Sequence, residues 1–169
     1  LRELRGFFAT KLQLQYALGI FIISRDYINY ASMRDQNIGI RNLIYEQRRE
    51  FIDRAFAGET VLVPPLISDV PLPDKDNNLV PGYPTMFSLT PVKDETGQII
   101  ALLSIRLDPF DSYSRIAQAG RLGESGETYF FDKNGVMLSE SRFINQLLSM
   151  SLLDESTYSL LKIVIKDPG

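Results

Sequence analysis

The chain has 169 residues, of which 44% are hydrophobic and 23% are charged, values typical of a folded globular protein rather than a disordered one. Its net charge of −3 comes from mixed signs and gives no basic footprint, so the composition predicts no nucleic-acid partner. Cysteine and histidine are both absent, which excludes disulfides, Ser-His-Asp and Cys-His catalysis, and any zinc site that needs imidazole.

The longest apolar run, 16–23, is far shorter than the ~20 residues that a membrane span needs, and no signal peptide begins the chain. The chain starts without Met and stops in a turn at 167–169, directly after the strand-like run 160–165. We therefore expect it to be a fragment of a longer protein.

The first half of the sequence predicts a helix-flanked antiparallel sheet. An amphipathic helix over 1–15 has apolar residues at intervals of three to four. Strands follow at 19–24 and 27–33, and a second helix covers 40–57 until Gly58 stops it. This order of elements is that of a PAS-like α+β domain.

The next segment, 61–84, is predicted to be a long packed loop. It holds six of the nine prolines, and it also contains the polar run 74–78. A loop of this length inside a compact domain is usually functional or disordered, and its apolar residues favour a packed one.

A hairpin is predicted over 85–107, and strict alternation divides its side chains between two faces. A core face, which would meet the N-terminal helix, carries Phe87, Leu89, Leu103, Ile105 and Leu107. The other face, beneath the proline-rich loop, carries Met86, Ser88, Thr90, Leu102, Ser104 and Arg106. An arginine held under an ordered loop beside hydroxyls predicts an anion site. The alternative is an exposed arginine at the sheet edge, or one paired with a nearby acid.

Beyond residue 108 the sequence predicts the start of a second, related module. Its elements are a helix near 110–120, strands at 128–131 and 136–138 around an Asn-Gly turn, a helix at 144–153 and a strand at 160–165. The chain ends before such a module could close.

Three stretches together resemble the double Cache (dCache) extracytoplasmic sensor domains of bacterial sensor histidine kinases, diguanylate cyclases and chemoreceptors. They are RREFIDRAFAG (48–58), GQIIALLSIRLDP (97–109) and RLGESGETYFFDKNGVMLSESRF (121–143). The resemblance implies an α+β fold with a long N-terminal helix and two tandem PAS-like modules on antiparallel sheets, the second incomplete. The implied domains are the end of the long helix (1–15), a membrane-distal ligand-binding module (16–108), a connector (109–122) and the start of a membrane-proximal module (123–169).

The resemblance also implies a ligand site in the distal module. Amino-acid-binding members carry an Arg-x-Trp-Tyr stretch, whose positions are held here by Arg49, Phe51 and Ile52, so that the Arg and an aromatic persist while the Tyr is lost. These members also carry an acid that Arg106 replaces. That charge reversal disfavours an α-amino acid and favours a more anionic ligand, such as a di- or tricarboxylate, a sulfonate or a phosphate. The expected ligand-binding residues are Arg49, Phe51, Tyr83, Thr85, Ser88, Ser104, Arg106 and Tyr30, with no catalytic residue, metal or cofactor.

On this basis the sequence predicts a non-enzymatic sensor domain of a membrane-anchored signal-transduction receptor, such as a histidine kinase of a two-component system. The domain would be periplasmic or extracellular, homodimeric through its N-terminal helix, and bound to a small anionic molecule. The alternative is a ligand-free protein-interaction or dimerisation module of the same fold. An enzyme of PAS-like fold is a third interpretation, disfavoured because the sequence shows no matched acid–base pair.

Overall fold

The structure is a computed structural model that describes residues 1–14, 17–120, 123, 126–153 and 158–166. The chain divides into two units, unit 1 at 1–108 and unit 2 at 109–169. Among the described residues, no helix is both long enough and apolar enough to cross a membrane.

Unit 1 is built on a five-stranded antiparallel sheet, so the predicted α+β class is confirmed. The strands of the unit are β1 (Ala17–Ser24), β2 (Asn29–Ser32), β3 (Val61–Ile67), β4 (Leu72–Pro73), β5 (Leu79–Val80), β6 (Pro84–Lys93) and β7 (Ile99–Leu107). The large sheet has the order β2-β1-β7-β6-β3, and β4 and β5 form a separate two-stranded ribbon. The first and last strands along the chain are therefore neighbours inside the sheet.

Two helices belong to unit 1. The first, α1 (Arg2–Leu14), has 13 residues and contacts β1, so the predicted long N-terminal helix is not shown. The second, α2 (Leu43–Phe56), begins where the side chain of Asn42 accepts a hydrogen bond from the backbone N–H of Ile44 at 2.9 Å. It ends before Gly58, whose φ of +110° gives the left-handed stop expected from the sequence.

The core of unit 1 lies between α2 and the sheet. Ile44 and Ile52 of α2 are fully buried there together with Phe87, Leu89 and Leu102 of the sheet. Burying a side chain of this size contributes about 1.5–3 kcal/mol. The sheet's core face therefore meets α2 rather than the N-terminal helix.

A β-bulge next to the β6–β7 turn sets the faces of this hairpin. Lys93 pairs with Ile99, but the preceding residue Val92 pairs with Ala101, so Ile100 is an extra residue on β7. One extra residue moves every later side chain of that strand to the opposite face of the sheet.

The predicted faces are therefore wrong for β7. The register pairs Phe87 with Arg106 and Leu89 with Ser104, which places these four side chains on the face that α2 covers. Leu102 belongs to the same face and to the buried core. The residues that strict alternation assigns to the core but that lie on the opposite face are Leu103, Ile105 and Leu107.

The proline-rich segment 61–84 is a strand in its first part rather than a loop throughout. Pro64 and Pro65 lie in β3 at a bulge, and β3 is an edge strand, where missing backbone donors are tolerated. The side chain of Gln47 closes this edge, because its amide donates to the carbonyl of Ile67 at 2.8 Å and accepts from the Ile67 N–H at 3.1 Å. The remaining residues, 68–83, contain the β4–β5 ribbon and are called the flap below.

Unit 2 has short elements in the part that the structure describes. They are a π-helical turn (Phe110–Ser114), α3 (Arg115–Ala119), α4 (Ile144–Ser149) and isolated antiparallel bridges between Phe131 and Met137 and between Val136 and Val164. A second sheet of extended strands is not found among these residues, so two tandem PAS-like modules are not shown. The predicted strand at 160–165 is instead a turn followed by a bridge residue.

The predicted turn at 132–135 is present. The Gly135 N–H donates to the carbonyl of Asp132 at 2.9 Å, and the Asp132 N–H donates to the carbonyl of Val136 at 3.0 Å. Gly135 has a φ of +79°, and a Cβ added there would lie 2.5 Å from the carbonyl oxygen of Ile165. Glycine is thus required here by both backbone conformation and space.

Gly135→Ala is expected to destabilise this hairpin by more than about 1 kcal/mol, since the positive φ alone costs roughly that much and the contact adds to it. Hydrogen-exchange mass spectrometry on the peptide around the turn measures the loss. Gly97→Ala is the matched control, because Gly97 also has a positive φ, of +86°, but open space at its Cβ position. Equal losses at the two glycines would contradict the importance of the Ile165 contact.

Candidate functional site

Arg106, near the end of β7, is 3% exposed and lies on the face that α2 covers. Its guanidinium carbon lies 5.3 Å from the ring centroid of Phe21 and 5.1 Å from that of Phe87. Nη1 donates to Ser68 Oγ at 2.9 Å, and Nη2 donates to Asp69 Oδ1 at 2.8 Å. The aromatic rings and the charge-assisted hydrogen bonds stabilise a cation in a position that is largely removed from water.

Burial lowers the pKa of Arg106 from its ordinary value, whereas the hydrogen bond and charge of Asp69 act in the opposite direction. The Asp69 side chain is 25% exposed, so the ion pair spans the boundary between core and solvent. The protein itself therefore supplies the countercharge of Arg106, as in the alternative that pairs this arginine with a nearby acid.

Ser68 holds the base of the flap together. Its N–H donates to the carbonyl of Tyr83 at the other end of the flap, at 3.1 Å. Its hydroxyl donates to the carbonyl of Val70 at 2.7 Å and accepts from the Val70 N–H at 3.2 Å. Because the same hydroxyl accepts a hydrogen bond from Arg106, the buried guanidinium is hydrogen-bonded directly to the base of the flap.

A cleft lies between the flap and the β1–β2 side of the sheet, with about 270 Å³ of empty space that includes the solvent at its open mouth. Its lining includes Gly19, Phe21, Arg34, Asn37, Leu72 and Arg106. Gly19 pairs with Arg106 across the strands and so lies beside it on the same face. A Cβ at Gly19 would have no heavy atom within 4 Å, so the missing side chain leaves the cleft open.

The polar groups of the cleft are basic or neutral. Arg34 is exposed and lines the same cleft as Arg106, and its charge contributes to the lowered pKa of Arg106. Asn37 is 4% exposed in the 3₁₀ turn Asp35–Asn37. None of the described residues that line the cleft is acidic.

Four of the eight predicted site residues lie in the cleft, at the end of the flap or on the core face of the sheet. Arg106 lines the cleft, and Tyr83, 6% exposed, closes the flap through its carbonyl. Thr85 and Ser104 are fully buried on the same face of the sheet. The hydroxyl of Thr85 donates to the carbonyl of Leu107 at 3.4 Å, whereas Ser104 Oγ has no hydrogen-bond partner among the described residues.

The other four predicted residues lie further away, and like Tyr83, Thr85 and Ser104 they are not in the lining of the cleft. Arg49 is exposed on α2 and pairs with Asp53 at 3.3 Å. Tyr30 is 66% exposed, and Phe51 packs against the edge of the core. Ser88 lies on the face of the sheet opposite to α2.

The arginine of α2 that points towards the sheet is Arg48 rather than Arg49. It lies four residues from both Ile44 and Ile52, which are fully buried, and its Nη2 donates to the carbonyl of Pro65 at 3.3 Å. Its Nε is buried without a partner among the described residues, and its backbone (φ −146°, ψ 47°) interrupts the helix. The spacing of four between these residues is a signal that could have identified it.

Sequence reasoning also missed Ser68, Asp69 and Gly19. Asp69 is 37 residues away from its partner Arg106, so no local pattern connects the two. In the sequence Gly19 looks like an ordinary position of a buried strand. Its place in the cleft depends on its cross-strand pairing with Arg106, which only the structure shows. A glycine inside an apolar strand is nevertheless a recognised sign of close approach or open space.

A second buried polar cluster lies in unit 2. Glu140 Oε2 accepts hydrogen bonds from the N–H groups of Ser159 and Leu160, at 3.0 and 3.2 Å, and from the Ser159 hydroxyl at 3.2 Å. Burial raises the pKa of the Glu140 carboxyl, and these hydrogen bonds only partly oppose the effect. The carboxylate joins two distant segments of the chain and is thus best explained as structural.

No protein-family model matches the chain, and none of the curated proteins matches it. Among solved structures, the chain is similar to a phage VqmA–DPO complex, with 12% identity, a TM-score of 0.41, and coverage of 68% of this chain and 58% of that chain. It is also similar to a Vibrio cholera VqmA–ligand–DNA complex, with 16% identity, a TM-score of 0.36, and coverage of 75% and 64%. The chain thus spans less than two thirds of the length of these two structures.

These findings correct the receptor interpretation. The similar structures are VqmA complexes with a ligand or with ligand and DNA, so the predicted membership of the double Cache family is wrong. The transmembrane receptor, the two-component histidine kinase, the membrane anchor and the periplasmic location that depended on it are withdrawn. The stretches behind the resemblance are mostly hairpins with Asp and Gly turns, which any antiparallel sheet can contain.

The predicted partners are corrected with it. The exclusion of nucleic acid rested on net charge alone, and one of the similar structures contains DNA. The predicted homodimer through the N-terminal helix depended on the same receptor interpretation and is withdrawn with it.

Arg106→Met is expected to lower the free energy of unfolding of the chain by about 3 kcal/mol, because it leaves the partly buried carboxylate of Asp69 without its partner. Methionine keeps an unbranched apolar stem like that of arginine but has no guanidinium group. Urea denaturation of the full chain measures the difference. The control, Arg49→Met, removes an exposed ion pair and should leave stability almost unchanged. Similar losses in both variants would contradict the special role of the buried pair.

A second prediction concerns pH. Because the Glu140 carboxyl has a raised pKa in the folded state, the folded chain binds more protons than the unfolded chain between the two pKa values. The free energy of unfolding should therefore fall as pH rises from the unfolded pKa through the raised one, and Glu140→Gln should remove this part of the fall. Urea unfolding at a series of pH values tests it, with the exposed Glu95→Gln as control. Parallel pH profiles for wild type and Glu140→Gln would refute the assignment.

Proposed function

We propose that unit 1 is a PAS-like module that binds a small molecule in the cleft beneath the flap. The order of its five-stranded sheet, with the first and last strands adjacent at the centre and α2 packed on one face, supports the PAS-like assignment. The observation that carries the proposal is the cleft itself, which lies on this same face.

The chemistry of the cleft is that of a ligand site. Its walls are apolar and include Phe21 and Leu72, which are 2% and 1% exposed. A few polar groups converge on it, above all the guanidinium of Arg106 and the side chain of Asn37. Mostly apolar concave sites with a small number of placed polar groups are where small molecules bind.

Packing also supports the proposal. Protein interiors are filled to crystal-like density, so an open space beside a buried strand is unusual. Here the space exists because Gly19 has no side chain, although any residue could adopt its backbone conformation. A larger residue there would fill the space and contribute to the core, so glycine is best explained by a need to keep the space free.

The size of the cleft limits the ligand. The 270 Å³ of space includes open solvent at the mouth, so the enclosed part of the cleft is well below the range of about 300–1,000 Å³ that is usual for small-molecule sites, and the ligand must be small. The ionisable groups of its described lining are two arginines, whose guanidinium groups are hydrogen-bond donors without an acceptor. Neither can act as a general base, and we therefore propose binding without catalysis.

Binding would be communicated through the flap. Leu72 from the flap forms one wall, and Ser68 and Asp69 at its base contact the same guanidinium that lines the cleft. A ligand that contacts Arg106 thus acts on the residue that fixes the flap, and it stabilises whichever flap position gives it more contacts.

The test is a thermal-shift screen of the full chain against a library of small polar and aromatic compounds. A compound that binds the folded state stabilises it by about 2.7 kcal/mol at a hundredfold excess over its dissociation constant. Gly19→Leu is expected to weaken every such compound at least tenfold while the protein still folds, because the added side chain enters open space.

Gly6→Leu is the matched control, since Gly6 also has open space at its Cβ position but is exposed on α1 and does not line the cleft. It should leave affinity unchanged. Compounds that bind Gly19→Leu as tightly as wild type would refute the cleft as the site.

A further inference from the structure

We infer that Asp69 makes this cleft selective for uncharged ligands, because it already neutralises the guanidinium of Arg106. The inference rests on the proposed function of the cleft and concerns the chemical class of its ligand. From Arg106 the sequence predicts an anionic ligand, because Asp69 is not recognisable in the sequence as its countercharge.

The geometry of the pair is the first step. Asp69 Oδ1 lies 2.8 Å from Nη2 of Arg106, and the neighbouring Ser68 Oγ lies 2.9 Å from Nη1. The arginine side chain is 3% exposed and the aspartate side chain 25% exposed, so water screens the pair weakly. A buried cation attracts an anionic ligand strongly when its charge is uncompensated, and that condition is not met here.

The cost of an anionic ligand is the second step. An anion that contacts Arg106 must either lie close to the Asp69 carboxylate or displace it. The first arrangement brings two like charges together in a medium of low dielectric constant. The second leaves Asp69 without its partner and separates the flap base from the sheet.

A neutral ligand avoids both costs. A guanidinium has five N–H donors in a planar fork, and the contacts with Ser68 and Asp69 point towards the flap. A neutral carbonyl or hydroxyl that accepts from the same fork brings no second negative charge. The apolar walls then contribute to its affinity in proportion to the area they cover.

Arg34 does not change this conclusion. Its side chain is exposed at the cleft, where solvent and salt screen its charge. It raises the local concentration of anions at the mouth, but an exposed charge adds little to the affinity of a bound one.

The experiment compares benzamide with benzoate, which have nearly the same shape and differ by one negative charge. Dissociation constants for the full chain are measured by NMR titration, with the backbone amides of Gly19 and Arg106 as reporters. We expect wild type to bind benzamide at least tenfold more tightly than benzoate. In Asp69→Asn the preference is reduced at least tenfold, because benzoate affinity rises by that factor while benzamide affinity changes little.

Asp76→Asn is the matched control, since Asp76 is an exposed acid of the same flap and its substitution changes the net charge by the same amount. It should behave as wild type. A gain in benzoate affinity as large as that of Asp69→Asn would overturn the inference, because it would reflect overall charge alone.

The wild-type protein decides the question even if Asp69→Asn does not fold. Benzoate that binds wild type as tightly as benzamide overturns the inference and leaves the cleft as a ligand site. If neither compound shifts the two reporter amides in any folded variant, the proposed function falls together with the inference.

Discussion

The positive charge of Arg106 is buried in the face of the sheet that α2 covers, and much of unit 1 is arranged so that this charge is satisfied. Two aromatic rings, a serine hydroxyl and the carboxylate of Asp69 surround it. Because the serine and the aspartate begin the flap, the need to compensate one charge also fixes where the flap is attached. The cleft is the space that this attachment leaves between flap and sheet.

The position of that charge depends in turn on one residue near a turn. Ile100 is the extra residue of the bulge, and without it Arg106 would lie on the opposite face of the sheet. Ser104 and Leu102 would move with it, and Leu103, Ile105 and Leu107 would take the core face instead. A local irregularity of the backbone thus selects both the core and the site. Bulges near functional positions commonly redirect a side chain in this way.

The sequence was sufficient for features that depend on neighbouring residues. The helix stop at Gly58, the turn at 132–135 and the antiparallel class of the fold all follow from local patterns. The faces of β7 did not follow from local patterns. A single inserted residue reverses which side chains face the core, while the alternation of side chains along the strand looks the same in the sequence. The pairing of Arg106 with Asp69 joins positions far apart in the chain, and only the folded structure brings them together. The family resemblance failed for a related reason, since hairpin turns are shared by many antiparallel folds.

Both edges of the large sheet are occupied by side chains from helices. On β3, the amide of Gln47 forms the two hydrogen bonds with Ile67 that a neighbouring strand would otherwise form. On β2, the Nε of Arg5 donates to the carbonyl of Ser32 at 2.8 Å. Exposed strand edges pair readily with other chains, which leads to aggregation or to strand exchange between copies. Each helix therefore satisfies one residue of its strand edge as a neighbouring strand would, and this opposes growth of the sheet from one molecule to the next.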